Sequence, residues 1–107
     1  MSHLFSAAIQ ADTPARAYQV PAGSIATLVT NIVNTGKTAA RVSMFLVKKT
    51  DTVLNAPAQA IEYNVELKPG QVLLREGIIL DADQGIAIAS SSAEIAVNGW
   101  GIEEIKA

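Results

Sequence analysis

The chain is read as an all-β protein, an antiparallel β-sandwich of about eight strands, immunoglobulin-like or jelly-roll-like. Three observations predict this. Apolar residues recur with a period of two, turn signals return about every 8–12 residues, and no stretch carries a convincing helical repeat. The predicted strands are residues 3–9, 16–20, 25–34, 39–48, 61–68, 71–80, 85–90 and 94–105.

The clearest alternation is in residues 61–68. Ile61, Tyr63, Val65 and Leu67 are expected on one face, with Glu62, Asn64, Glu66 and Lys68 on a solvated one. In residues 39–48, Ala40, Val42, Met44 and Leu46 alternate with Arg41, Ser43, Phe45 and Val47. Both faces turn apolar near the end, so this strand is expected to be covered on both sides. Residues 25–34 are rich in β-branched side chains. Leu28, Thr30 and Ile32 form one face, and Val29, Asn31 and Val33 the other. Val72, Leu74, Ile78 and Leu80 keep one phase, interrupted at Arg75-Glu76-Gly77, where a bulge at Gly77 is predicted. Ile86 and Ile88 mark a short strand. Ile95 and Val97 begin the last one, which runs through Trp100 and Ile102 towards Ile105.

Turn chemistry separates these runs. Pro69 presets the second position of a type II turn and Gly70 takes the third. Gly36, in Asn34-Thr35-Gly36-Lys37, is expected to take a positive φ and close a hairpin. Pro21-Ala22-Gly23-Ser24, Asp81–Gly85 and Ser90-Ser91-Ser92 are further turns. Residues 54–60 are read as loop rather than helix because of Asn55 and Pro57.

Composition narrows the function. The chain has 107 residues, enough for one domain (1–107), with residues 1–15 open as an N-terminal arm. Half of it is hydrophobic, so a core can form without staples, built mainly from Val, Ile, Leu and Ala. It has no cysteine, which excludes disulfides, thiolate metal sites and a cysteine nucleophile. Charged residues are 17% and the net charge is −2, so no basic surface for nucleic acid is expected. The apolar runs are far too short for a transmembrane helix. The start, Met1–Phe5, lacks the basic and apolar regions of a signal peptide, and cytoplasmic synthesis and assembly are expected.

Catalytic chemistry finds little support. His3 is the single histidine, so a triad or His-rich metal site is not expected. Asp81 and Asp83 next to Gly85 suit turn formation better than calcium, which needs more oxygen ligands. Glu94, Glu103 and Glu104 show no pairing that a glycosidase would need. Ser24 and Ser90–Ser92 have no candidate base. The expectation is a non-enzyme with no cofactor and no metal. The candidate interface residues are Trp100, Glu62 and Glu66. Trp100, between Gly99 and Gly101, either anchors a subunit contact or fills the core. Glu62 and Glu66 are expected on one polar face, free to pair with basic groups of a neighbouring strand or subunit.

Several segments in order carry a resemblance. They are Tyr18–Ser24, Thr27–Asn34, Ile61–Gln71, Ile78–Gly85, Ser90–Val97 and Gly101–Glu104. This order resembles small phage virion proteins: capsid cement or decoration proteins, and tail or baseplate accessory proteins. It covers residues ~17–105 by the strand-and-turn pattern above. The resemblance implies a structural role in the virion, with the major capsid protein or other virion proteins as partners. Homo-oligomers are expected, and shell geometry favours a trimer. The favoured role is capsid decoration. A tail, neck or baseplate component is the alternative, and a host-surface or carbohydrate-binding module is the alternative from another class.

Overall fold

The structure, a computed structural model, describes residues 2–105. Eight strands follow one another: β1 (Ser2–Ala8), β2 (Ala15–Gln19), β3 (Ser24–Asn34), β4 (Ala40–Lys48), β5 (Ala60–Leu67), β6 (Val72–Leu80), β7 (Gln84–Ser90) and β8 (Ile95–Ile105). Each boundary lies within one residue of its predicted place. A single 3₁₀ turn, Pro57–Gln59, sits in the long β4–β5 connection. Residues 2–8, left open as an arm by the sequence, form an edge strand and send Phe5 into the core.

Two four-stranded antiparallel sheets face each other, with strand orders β1-β8-β3-β6 and β2-β7-β4-β5. First pairs with last, second with seventh, third with sixth, fourth with fifth. This is one long antiparallel ribbon rolled over on itself, the jelly-roll arrangement. It decides between the two sandwiches the sequence left open.

The rolled ribbon changes what the turns do. Only β4 and β5 are consecutive strands that pair; every other connection crosses from one sheet to the other. Asn34–Lys37 is therefore a crossing, not the expected hairpin, and Gly36 does not adopt a positive φ. Asn34 shapes the crossing instead. Its buried side chain donates from Nδ2 to the carbonyls of Thr38 (2.8 Å) and Leu67 (2.9 Å) and accepts from Gly36 N (2.9 Å). The Pro69-Gly70 turn forms as expected: Gly70 has φ 79° and Gln71 N donates to Lys68 O at 2.9 Å.

Between the sheets lie Leu28, Ile32, Val42, Met44, Leu80, Ile86 and Ile88, all fully buried. Each contributes roughly 1.5–3 kcal/mol by leaving water. A second cluster lies on the far side of the β2-β7-β4-β5 sheet. Phe45, Val47 and Ala87 are buried there under Leu54 and Ala60. Strand β4 is thus covered on both faces, as its alternation predicts. Asp51 pins the covering loop: its Oδ2 accepts from Lys48 N and Gln59 Nε2, each at 2.9 Å. Those two donors, with Lys48 and Arg16 nearby, hold its carboxyl below the usual carboxylate range.

Candidate docking face

The two outer faces of the sandwich differ in chemistry. The outer face of β2-β7-β4-β5 is half covered by residues 49–59 and half polar. The outer face of β1-β8-β3-β6 is covered by no other segment among the described residues and is more than half apolar. Its register places Val72, Val33, Ala96 and Ala8 in one row. Leu74, Asn31, Asn98 and Ser6 form the next, then Val29, Trp100 and His3, then Ile79, Thr27 and Ile102. Ile79 is 70% exposed, and Val72, Leu74 and Ile102 are each about half exposed. One acid, Glu76, stands in the β6 bulge opposite Val29, between Leu74 and Ile79, and Glu104 lies one row beyond Ile102.

Sandwich strands ordinarily place polar residues outward. Strand spacing and residue rise give this face roughly 500 Å². Ser6, His3, Thr27, Asn31 and Asn98 divide its apolar part, and an exposed face of this kind often marks a contact site. It supplies much of the roughly 800 Å² per partner of a standard interface.

Trp100 stands within this face. The alternation of β8 turns Ile95, Val97, Gly99 and Gly101 inward, so Trp100 points outward and is half-buried by its neighbours. It lies across from Val29 and His3, with the His3 ring edge-on at 5.7 Å. The core reading of Trp100 is therefore set aside. His3 Nε2 lies 3.0 Å from Ser6 Oγ, which donates to Asn98 Oδ1, so the polar members of the face are tied to one another.

The β6 bulge makes the face. Gly77 takes φ 71°, and the register slips between Leu28 and Thr30. One extra residue flips the phase. Ile78 and Leu80 point inward while Val72 and Leu74 point out, instead of sharing a face as expected.

A similar slip corrects strand β5. The β4–β5 register breaks on both sides of Met44, and Asn64 has φ 51°. Tyr63, expected in the core, is consequently 55% exposed and touches the Phe45 ring edge-on at 6.4 Å. Glu62 and Glu66 part company. Glu66 lies opposite Arg41 on the outer face. Glu62 lies opposite the buried Met44 and meets Arg75 of β6, Oε2 to Nη1 at 2.8 Å. That ion pair bridges the adjoining edges of the two sheets. Both partners are partly exposed, so it contributes less than about 1 kcal/mol. On the opposite side Tyr18 of β2 donates to Glu103 of β8, again sheet to sheet. Burial, and then this bond to an anionic acceptor, push the Tyr18 phenol well above its ordinary range.

The remaining polar candidates serve turns. Asp81 Oδ1 accepts from Ala82 N, and Gln84 Oε1 from Asp81 N. Ser90, Ser91 and Ser92 hydroxyls accept from the backbone of Ser92, Arg41 and Glu94. No cluster of three potential metal ligands occurs among the described residues.

Sequence reasoning missed one feature. On the outer face of β2-β7-β4-β5, a cleft of about 310 Å³ is lined by polar groups from five segments, Asp12, Arg41, Asn55, Asn64 and Ser91 among them. No local motif announces it, because the jelly roll alone brings these segments together. The chain matches no protein-family model and no curated protein.

Proposed function

We propose that the chain is a structural subunit of a phage particle. Its role is capsid decoration: it docks on major-capsid subunits through the outer face of β1-β8-β3-β6. The role is binding, not catalysis. The single observation that carries the reading is that face, with exposed Val72, Leu74, Ile79 and Ile102 among a few uncharged polar groups and holding the chain's one tryptophan. Tryptophan in a desolvated patch is a typical anchor of protein contacts. The jelly-roll order adds support by analogy, since viral capsid domains use it, although lectins do too. The order of segments from Tyr18 to Glu104 supplies the phage setting.

A subunit that binds the assembled lattice and not free capsid protein stabilises the shell by linkage. Copies of the chain are expected to associate around a symmetry axis of the shell, a trimer being the favoured form.

Electron microscopy of purified particles tests this. Density for the jelly roll on the capsid exterior is the expected result. Density on the tail, neck or baseplate would replace the decoration role with the tail role. Absence of the chain from particles would overturn both.

A further inference from the structure

The cleft on the opposite sheet carries a second inference. We propose that it is a binding site for a neutral sugar unit, held through its hydroxyl groups. The cleft measures about 310 Å³, at the small end of the roughly 300–1,000 Å³ of ligand sites. That suits one or two pyranose rings.

Its lining is matched to hydroxyls. A sugar hydroxyl both donates and accepts, so it needs both kinds of partner side by side. Asp12 supplies an acceptor, Arg41 a donor fork, and Asn55 and Asn64 supply both. Arg41 spends one nitrogen on the carbonyl of Asn64 at 3.0 Å, which fixes the guanidinium at the cleft and leaves other N–H groups available. The one acid and the one base of the lining do not pair with each other: the ion pair among the described residues is Arg75–Glu62. With Asp12 in the lining and Glu66 opposite Arg41 on the same face, the cleft has no excess of positive charge, which disfavours a phosphate or carboxylate guest. Tyr63, exposed beside Asn64, offers a ring on the same face of the sheet.

The backbone points to the same place. Asp12 (φ 57°) and Asn64 (φ 51°) are the two non-glycine residues with left-handed backbone among those described, and both line the cleft. Asp and Asn adopt this conformation more readily than other side chains, so a turn at Asp12 and a register break near Asn64 each present a polar side chain at the cleft. In the sandwich this face lies opposite the docking face, so a subunit seated on a shell turns the cleft outward. The site itself does not depend on that seating.

The test uses the isolated full chain, labelled with ¹⁵N and titrated with maltotriose, cellotriose, mannotriose and N-acetylchitotriose. Sialyllactose serves as the charged comparison. At millimolar concentration at least one neutral saccharide should shift the amides of Asp12, Arg41, Asn64 and Ser91, and leave the Trp100 indole unmoved. Asn64→Gly and Asp12→Gly each keep the left-handed backbone and delete the side-chain hydrogen-bonding group. Each should weaken binding about tenfold or more, the worth of one good hydrogen bond, without lowering the melting temperature. Shifts that persist in both variants would overturn the site. So would no shift at these amides with any neutral saccharide. Preference for sialyllactose would overturn the neutral class. None of these results bears on the docking face.

Discussion

The ring of Phe5 fills the space where Gly99 lacks a side chain: a Cβ there would stand 2.0 Å from Phe5 Cε1 and 2.3 Å from Cζ. The ring cannot easily retreat, because it stacks on Tyr18 at 5.2 Å between centroids. This contact holds the edge strand β1 against β8 and carries the stacking across to β2. Gly99→Ala should therefore destabilise the fold by about 1–3 kcal/mol, the usual cost of forcing atoms into a packed core. Urea denaturation measures it. The double variant Phe5→Leu/Gly99→Ala should lose less than the sum of the two single changes.

Thr30 is fully buried, and its hydroxyl is the one buried side-chain polar atom without a partner among the described residues. An unpaired buried hydroxyl costs about 1–3 kcal/mol. Thr30→Val keeps the shape and removes that cost. The variant should be more stable by about 1 kcal/mol, seen as a rise in melting temperature.

Tyr18 sets an alkaline limit. Its phenol is raised in the folded state by burial and by the bond to Glu103. The unfolded chain releases this proton near pH 10, whereas the folded chain keeps it. The stability so conferred is fully present below about pH 10 and declines as the pH rises beyond it. Tyr18→Phe should flatten that alkaline decline in denaturation curves measured at successive pH values. Near neutral pH it should change stability by only about 1 kcal/mol.

Trp100 and Ile79 should matter for assembly and little for folding. Trp100→Ala removes a half-buried outward ring, and Ile79→Glu places a charge on the bare face. Both variants should stay folded, with Trp100→Ala costing at most about 2 kcal/mol. Both should fail to co-sediment with capsids prepared without the protein. Tyr63→Ala, on the opposite sheet, should co-sediment normally.

The strands were legible because their signals are local. Alternation and punctuation such as Pro69-Gly70 depend on a few neighbouring residues. Sheet membership was not, because the jelly roll pairs distant segments: Ser6 bonds Asn98, 92 positions away. Facing failed where a bulge intervened. Gly77 announced its bulge, but not that Val72 and Leu74 would end up outside. Asn64 gave no comparable warning, since its left-handed backbone depends on the partner strand and on Ser43, whose Oγ accepts from Asn64 N at 2.9 Å. So Tyr63 was placed inside and Glu62 beside Glu66. Trp100 was half legible. The flanking glycines marked a close approach, and the structure shows that they serve the inner face and leave the indole outside.

Hydroxyl-radical footprinting of the free chain and of intact particles reads the docking face directly. Trp100, Leu74 and Ile79 should oxidise readily in the free chain and be strongly protected in the particle, while Tyr63 stays reactive in both. Equal oxidation of Trp100 in the two states, or protection of Tyr63 in its place, would contradict docking through β1-β8-β3-β6.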